Sequence, residues 1–276
     1  MADTVQCPTH GERPRTYVCS HLGGDSAGLG FNRADPESRN PFPDAWCDDC
    51  ELIRSAHGGW TAESEKLIRL LLLCSGCYER ARIRNMRTTV TLDDLADLRW
   101  KCHTCEKWHS GPCLDFGYDA PDYWREEYAE SSRQARLVSD WSRKRHKSFL
   151  NEDYCAIEDG DFFVRGLILL PIIGTAQCLC WGVWGSVSRQ NFESLAENDA
   201  KPGGAKLAPM FSWLSSRIPE YPDTINLKMY AHIQPPGKRP HFELEPTDHP
   251  LSHEFHHGIA PQRVKEIMKA QLRECE

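Results

Sequence analysis

Four short pairs of metal-ligating residues stand in the first 77 positions: Cys7-x-x-His10, Cys19-x-His21, Cys47-x-x-Cys50 and Cys74-x-x-Cys77. Two ligands separated by one or two residues can grip one metal ion from a tight turn, and a second such pair completes the tetrahedron that zinc prefers. Eight ligands in four pairs therefore predict two zinc ions. The spacing leaves their pairing open. In an interleaved cross-brace, Cys7 and His10 join Cys47 and Cys50, leaving Cys19, His21, Cys74 and Cys77 for the other ion. In a sequential arrangement, the first four ligands hold one ion and the last four the other.

A third group follows at Cys102-x-x-Cys105 with His109 and Cys113. Its first three members are the expected ligands of a further zinc. Cys178 and Cys180 alternate along a strand-like run and so share a face, which suits a sheet better than a metal site.

One string invites a catalytic reading. His253-Glu254-Phe255-His256-His257 matches His-Glu-x-x-His, in which two histidines one helical turn apart bind zinc and the glutamate activates water. That chemistry needs a stable helix and a third ligand, whereas Pro250 precedes the string and Gly258 ends it. A short solvent-facing turn is the expectation. No Gly-x-Ser-x-Gly elbow, phosphate-binding Gly-x-x-x-x-Gly-Lys loop or dinucleotide fingerprint occurs.

The segments that must position these ligands are poor in regular structure at first. Glycines and prolines at Gly23, Gly24, Gly28, Gly30, Pro41, Pro43, Gly58 and Gly59 break residues 1 to 60 into loops, and such a stretch needs bound metal to fold. Thr61 predicts the cap of a helix running to Leu73, with leucines on its apolar face. A second helix is expected from Thr91 through Leu98, and a polar one across 121 to 150 with Trp124, Tyr128, Leu137 and Trp141 as anchors.

From Phe162 the pattern changes. Phe162 to Ile173 and Cys178 to Ser188 are rich in β-branched and aromatic residues and predict an antiparallel strand pair about the Gly174-Thr175 break. In the second of these strands Trp181 and Trp184 should lie on opposite faces, one in the core and the other free to stack on a partner. Helix is expected at Gln190 to Glu197. Two further strands, Thr224 to Ile233 and His241 to Leu244, flank Pro235-Pro236-Gly237. Pro261 suits the first turn of a last helix that places Val264, Ile267, Met268 and Leu272 on one face.

The chain has 276 residues, 13 cysteines, 12 histidines and a net charge of -7. Cysteines in short pairs point to metal rather than disulfides in a reducing cytoplasm, where the chain is expected. The longest apolar runs fall well short of the roughly 20 residues that cross a bilayer. The acidic balance argues against a broad grip on nucleic acid. Basic residues cluster at Arg80, Arg82, Arg84 and Arg87 and at Arg143, Lys144, Arg145 and Lys147, and each cluster is expected to be a solvated surface.

Six strings downstream of Cys102 occur in an order that resembles the bacterial family catalogued as domain of unknown function 2199. They are Cys102-His103-Thr104-Cys105 with His109, Ala120-Pro121-Asp122-Tyr123-Trp124, Phe162-Phe163-Val164-Arg165-Gly166, Trp181-Gly182-Val183-Trp184, Tyr221-Pro222-Asp223-Thr224 and Glu243-Leu244-Glu245-Pro246-Thr247-Asp248-His249-Pro250. The resemblance supports metal at Cys102, Cys105 and His109, leaves Cys113 outside the family pattern and brings no function with it. The opening Cys7-Pro8-Thr9-His10-Gly11 also resembles the start of a B-box, a zinc module that mediates protein contacts. Arg165, with Phe162, Phe163, Glu243, Glu245, Asp248 and His249, is expected either in a polar binding surface or in ion pairs that fix strand register.

The expected architecture is α+β: a loop-rich zinc module over residues 1 to 99, then a largely antiparallel sheet domain with helices over 100 to 276. The expected role is a cytoplasmic protein-binding or adaptor module with structural zinc, two or three ions, and a protein partner. The competing expectations are a metal-dependent enzyme using His249 or the His253 to His257 segment and, more remotely, a nucleic-acid binder.

Overall fold

The computed structural model describes residues 3–34, 40–88, 92, 96, 99–102, 106–129, 148–157, 160–199 and 207–272. They fall into two compact units that do not follow chain order. The first contains Met1–Pro112, Pro171–Cys178 and His256–Glu276, and the second contains Cys113–Leu170 and Leu179–Phe255.

The first unit is built on strand β2 (Gly11–Cys19). Strand β1 (Thr4–Cys7) folds back on it as a hairpin, with Gly11 at a left-handed φ of 70° in the turn. Strands β3 (Asn32–Arg33) and β4 (Ala45–Trp46) pair with each other, and β4 joins β2 in parallel where Val18 meets Ala45. Strand β5 (Leu70–Cys74) runs antiparallel to β2, from Arg15 opposite Cys74 to Cys19 opposite Leu70. Helices α1 (Asp48–Ala56), α2 (Ala62–Glu65) and α3 (Ser75–Asn85) complete the module. Its core gathers Val18, Leu22, Ala45, Trp46 and Tyr78 with the buried cysteines Cys19, Cys47 and Cys50, and the rings of Phe31 and Phe42 meet Tyr78 edge-on at 5.3 and 5.9 Å. The strand pair β6 (Arg99–Lys101) and β7 (Trp108–Ser110) and the last helix of the chain also belong to this unit.

Thr61 does cap a helix, through the reciprocal bonds of a capping box: Ser64 N donates to Thr61 Oγ1 at 3.2 Å and Thr61 N to Ser64 Oγ at 2.8 Å. That helix stops at Glu65, and the expected continuation to Leu73 is instead strand β5. Four consecutive leucines define no helical face, and the open edge of β2 offers their backbone a complete ladder. The helix expected at Thr91 to Leu98 and most of the one expected across 121 to 150, including Arg143, Lys144, Arg145 and Lys147, lie outside the described residues.

In the second unit, strands β8 (Asp115–Gly117), β9 (Ser148–Leu150), β10 (Tyr154–Ile157), β11 (Asp161–Pro171), β12 (Cys178–Val187), β13 (Met210–Leu214), β14 (Lys228–His232) and β15 (His241–Leu244) form one sheet in the order β8-β12-β13-β14-β15-β11-β10-β9. Pairing between β11 and β12 closes five of them on themselves. Most neighbours are antiparallel, and β11–β15 and β8–β12 are the parallel pairs among those registered. The α+β class with a largely antiparallel sheet therefore holds.

The Phe242 ring lies against glycines of two of the closed strands. A Cβ on Gly166 would lie 2.4 Å from Phe242 Cε2, and one on Gly185 would lie 2.8 Å from Phe242 Cζ and 2.6 Å from Met229 Cε. These glycines are needed for space rather than for backbone conformation. Strand β13, where the sequence pattern predicts no element, closes the ring between β12 and β14. The strand expected from Thr224 begins only at Lys228, because Asn226 adopts a left-handed φ of 64° in the preceding turn.

Three helices follow the sequence expectations in different degrees. Helix α4 (Arg189–Asp199) lies where helix was expected, and α6 (Pro261–Gln271) buries Val264, Ile267 and Met268 with Pro261 in its first turn. Between them, α5 (Pro250–His257) replaces the expected short turn and ends at Gly258, whose φ is 89°. Trp181 and Trp184 are both fully buried, so neither is free to stack on a partner. Trp184 packs with Cys155, Ile157 and Phe163 and donates its indole N–H to the Tyr118 carbonyl at 2.9 Å. Among the described residues, no helix is long and apolar enough to cross a membrane.

Candidate metal centres

Cys7 ends strand β1, His10 sits in the hairpin turn, Cys74 ends strand β5, and Cys77 lies in the first turn of α3. These four bring one ligand atom each within 4.8 Å of one another. The second set is Cys19 at the end of β2, His21 in the single 3-10 turn that follows, Cys47 immediately before α1 and Cys50 in its first turn. All eight predicted ligands of the module are used, three cysteines and one histidine in each set.

Both Cys-x-x-Cys pairs follow one plan. A strand delivers the first cysteine, which stands at the N-terminal end of a helix, and the helix delivers the second. Cys77 N donates to Cys74 Sγ at 3.4 Å, so the backbone of the helix end turns toward sulfur. In the other set the bond is made from outside, Cys47 N donating to Cys19 Sγ at 3.3 Å.

The grouping is nested: the first pair joins the fourth and the second joins the third. It is neither the interleaved nor the sequential arrangement. Strand register is the reason. Pairing β5 antiparallel to β2 sets Cys74 opposite Arg15, toward the β1 hairpin, while parallel β4 leads Cys47 to the Cys19 end of the same strand.

Distances within the sets match the edges of a metal tetrahedron. With zinc bonds of about 2.3 Å to sulfur and 2.0 to 2.1 Å to nitrogen, a tetrahedron has sulfur–sulfur edges of about 3.8 Å and sulfur–nitrogen edges of about 3.6 Å. Cys7 Sγ lies 3.8 Å from Cys77 Sγ. His10 Nδ1 stands 3.6, 3.4 and 3.5 Å from the sulfurs of Cys7, Cys74 and Cys77, and His21 Nδ1 lies 3.4 and 3.3 Å from those of Cys47 and Cys50. Burial and repulsion from Cys74 push the Cys77 thiol up to about 12. Burial and the other thiols of its set also raise Cys50. At Cys7 burial is opposed and outweighed by the backbone N–H groups of His10 and Thr9, and the thiol is lowered. Sulfurs packed this closely cannot all ionise unless a cation lies among them, and a divalent metal supplies that charge.

Gly76 is a contributor that ligand spacing did not reveal. A Cβ there would stand 2.8 to 2.9 Å from three atoms of the His10 ring. The glycine between Cys74 and Cys77 is thus what admits the imidazole to the first set.

The third predicted group is only partly described. Cys102 opens a tight turn in which Cys102 N donates to Lys107 O and Glu106 N to Cys102 O, both at 2.9 Å, with Glu106 at a left-handed φ of 56°. His109 stacks on Trp100 with ring centroids 4.8 Å apart. Cys105 lies outside the described residues, and Cys113 is buried with its sulfur 3.8 Å from the Asp115 carbonyl.

The histidine-rich helix is built differently from a catalytic zinc site. His253 and His257 are exposed on α5, and Glu254 accepts a short hydrogen bond from the Tyr221 hydroxyl. His249 Nδ1 accepts from Leu251 N at 3.2 Å at the start of the helix. Among the described residues, the groups able to hold a metal are the two sets above, and neither includes these histidines. In the arginine cluster, Arg82 is tied to Glu79 at 2.6 Å and Arg87 is hydrogen-bonded to Asp48. Glu243 pairs with His232 at 2.6 Å rather than with Arg165.

No curated protein and no solved structure matches the chain. The model of a family described as an uncharacterized protein conserved in bacteria (DUF2199) matches residues 101–259, more than half of its length, which span the whole closed sheet and the histidine helix. The resemblance carried by the six strings is thus confirmed, and the chain belongs to the DUF2199 family.

Proposed function

We propose that the chain is a cytoplasmic protein-binding or adaptor protein whose N-terminal module is folded by two structural zinc ions, with a third ion at Cys102, Cys105 and His109. The observation that carries the reading is that each of the two described sets already contains four protein ligands. Such a site has no open position for water or substrate, so it holds structure rather than performing hydrolysis. Soft thiolates with one imidazole suit zinc over harder cations such as magnesium or calcium.

A protein partner is supported by the apolar surface of the same module. Leu67 and Leu70 are 60% and 59% exposed, and Leu71 and Leu72 beside them are also exposed. Contiguous leucines in water are unusual on a chain that works alone. Within the arginine cluster Arg82 is paired with Glu79 and Arg87 with Asp48, which disfavours the nucleic-acid reading.

The test is capture with tagged full-length chain from its native host, with zinc counted on the same sample. The expected result is a partner held by the unaltered chain and lost from Leu70→Asp with Leu72→Asp, at unchanged zinc content. Zinc that disappears on replacing His253 and His257 would instead favour the enzyme reading.

A further inference from the structure

We propose that Arg165 and Arg239 form a binding site for an oxyanion, the phosphate or carboxylate group of a small ligand, in the second unit. Arg165 lies on β11, and its side chain is only 14% exposed. Among the described residues its guanidinium makes no hydrogen bond: Nε is buried without a partner, and the ion pair from Nη2 to the fully exposed Asp119 spans 4.0 Å. A largely buried charge whose Nε has no hydrogen-bond partner is costly.

The nearby acids do not remove the deficit. Asp153 accepts from Arg239 Nε at 2.8 Å and is committed there, while its carbonyl takes the Arg165 backbone N–H, also at 2.8 Å. Asp119 and Asp115 are exposed. Arg239 is held beside Arg165: its Nε donates to the carboxylate of Asp153, the residue whose carbonyl takes the Arg165 N–H, and its chain neighbour Pro240 accepts from Leu167 N at 2.9 Å. Burial and repulsion from Arg239 lower the Arg165 pKa against the pull of Asp119, Asp153 and Asp115.

The surroundings suit a planar, doubly accepting group. Gly117 stands against Arg165, and a Cβ on it would lie 2.9 Å from Nη2, so the absent side chain is what makes room for the guanidinium beside β8. A guanidinium presents two parallel N–H donors, which a carboxylate or phosphate accepts together and which lysine cannot reproduce. This site shares no residue with the cysteine sets, and its test is independent of zinc.

The experiment is a titration of uniformly 15N-labelled full-length chain, following arginine Nε–H resonances. Inorganic phosphate and acetate are the two arms, with chloride at matched ionic strength as reference. The expected result is a saturable shift of one line that is absent from the Arg165→Lys spectrum. Affinity should fall about tenfold or more in Arg239→Gln, as expected for loss of one charge-assisted contact. Saturation by phosphate alone assigns a phosphoryl ligand, and saturation by acetate alone a carboxylate. Should Arg165→Lys fail to fold, the line is assigned by through-bond connectivity in the unaltered chain and Arg239→Gln carries the test. A line that neither anion moves beyond the chloride reference, or an affinity unchanged in Arg239→Gln, overturns the proposal.

Discussion

Stripping metal from the folded chain is expected to melt strands β1 to β5 with helices α1 and α3, while the closed sheet of the second unit keeps its protection. The first unit has a small apolar core, and two of its strands are two residues long. Each metal set joins segments far apart in sequence: Cys7 to Cys77 in one and Cys19 to Cys50 in the other. Structural zinc contributes on the order of 10 kcal/mol or more in small modules, which exceeds the stability of most domains of this size. Hydrogen exchange before and after a strong chelator reads the outcome, and unchanged protection over residues 4–85 at zero metal would contradict it. Acidification should act in the same direction. Protons compete with metal for three thiolates and an imidazole per set, so the metal-bound fold takes up fewer protons than the unfolded chain and its stability falls as pH falls.

Phe242→Ala should be the most damaging single substitution in the second unit, at about 3–5 kcal/mol. Its ring is buried and fills space that Gly166 and Gly185 leave free on two neighbouring strands. Truncation would open a void beside two glycines, which have no side chain to move into it. The same geometry predicts a coupling. Gly166→Ala alone drives a methyl into the ring, with a Cβ 2.4 Å from Cε2, and should cost less in the Phe242→Ala background than in the unaltered chain. Denaturant melts followed by tryptophan emission measure both effects. A loss under about 1 kcal/mol for Phe242→Ala, or strict additivity of the pair, would show that the ring is not the centre of this core.

The contrast between these two units explains what could be read from the chain. Ligand identity was legible because metal chemistry is local: Cys47 and Cys50, or Cys74 and Cys77, meet through one turn, whatever the remainder of the chain does. Partner choice was not, because it depends on which edge of β2 receives β4 and which receives β5, and no spacing rule encodes that register. The run Leu70 to Leu73 is ambiguous in sequence for a related reason. Its leucines fit helix and strand alike, and the open edge of β2 decided the matter.

In the second unit, long β-branched runs announced β11 and β12, and Pro261 with its apolar spacing announced α6. Strand β13 left too short a signal beside a proline and glycine loop. Trp184 was placed correctly on its strand, but a strand in a closed sheet can be covered on both faces, and Tyr118 and Phe163 cover its outer one. The hydrogen-bond deficit of Arg165 is a property of three-dimensional packing and leaves no trace in residue order.

The nested pairing of the cysteine sets is tested most directly by counting zinc in double variants of the full chain, in the presence of a competing chelator. Cys7→Ser with Cys77→Ser should cost one ion, the same as either single substitution, because both ligands serve one set. Cys7→Ser with Cys47→Ser should cost two. If the second combination loses one ion and the first loses two, the ligands are interleaved, and the register of β4 and β5 on β2 does not sort them.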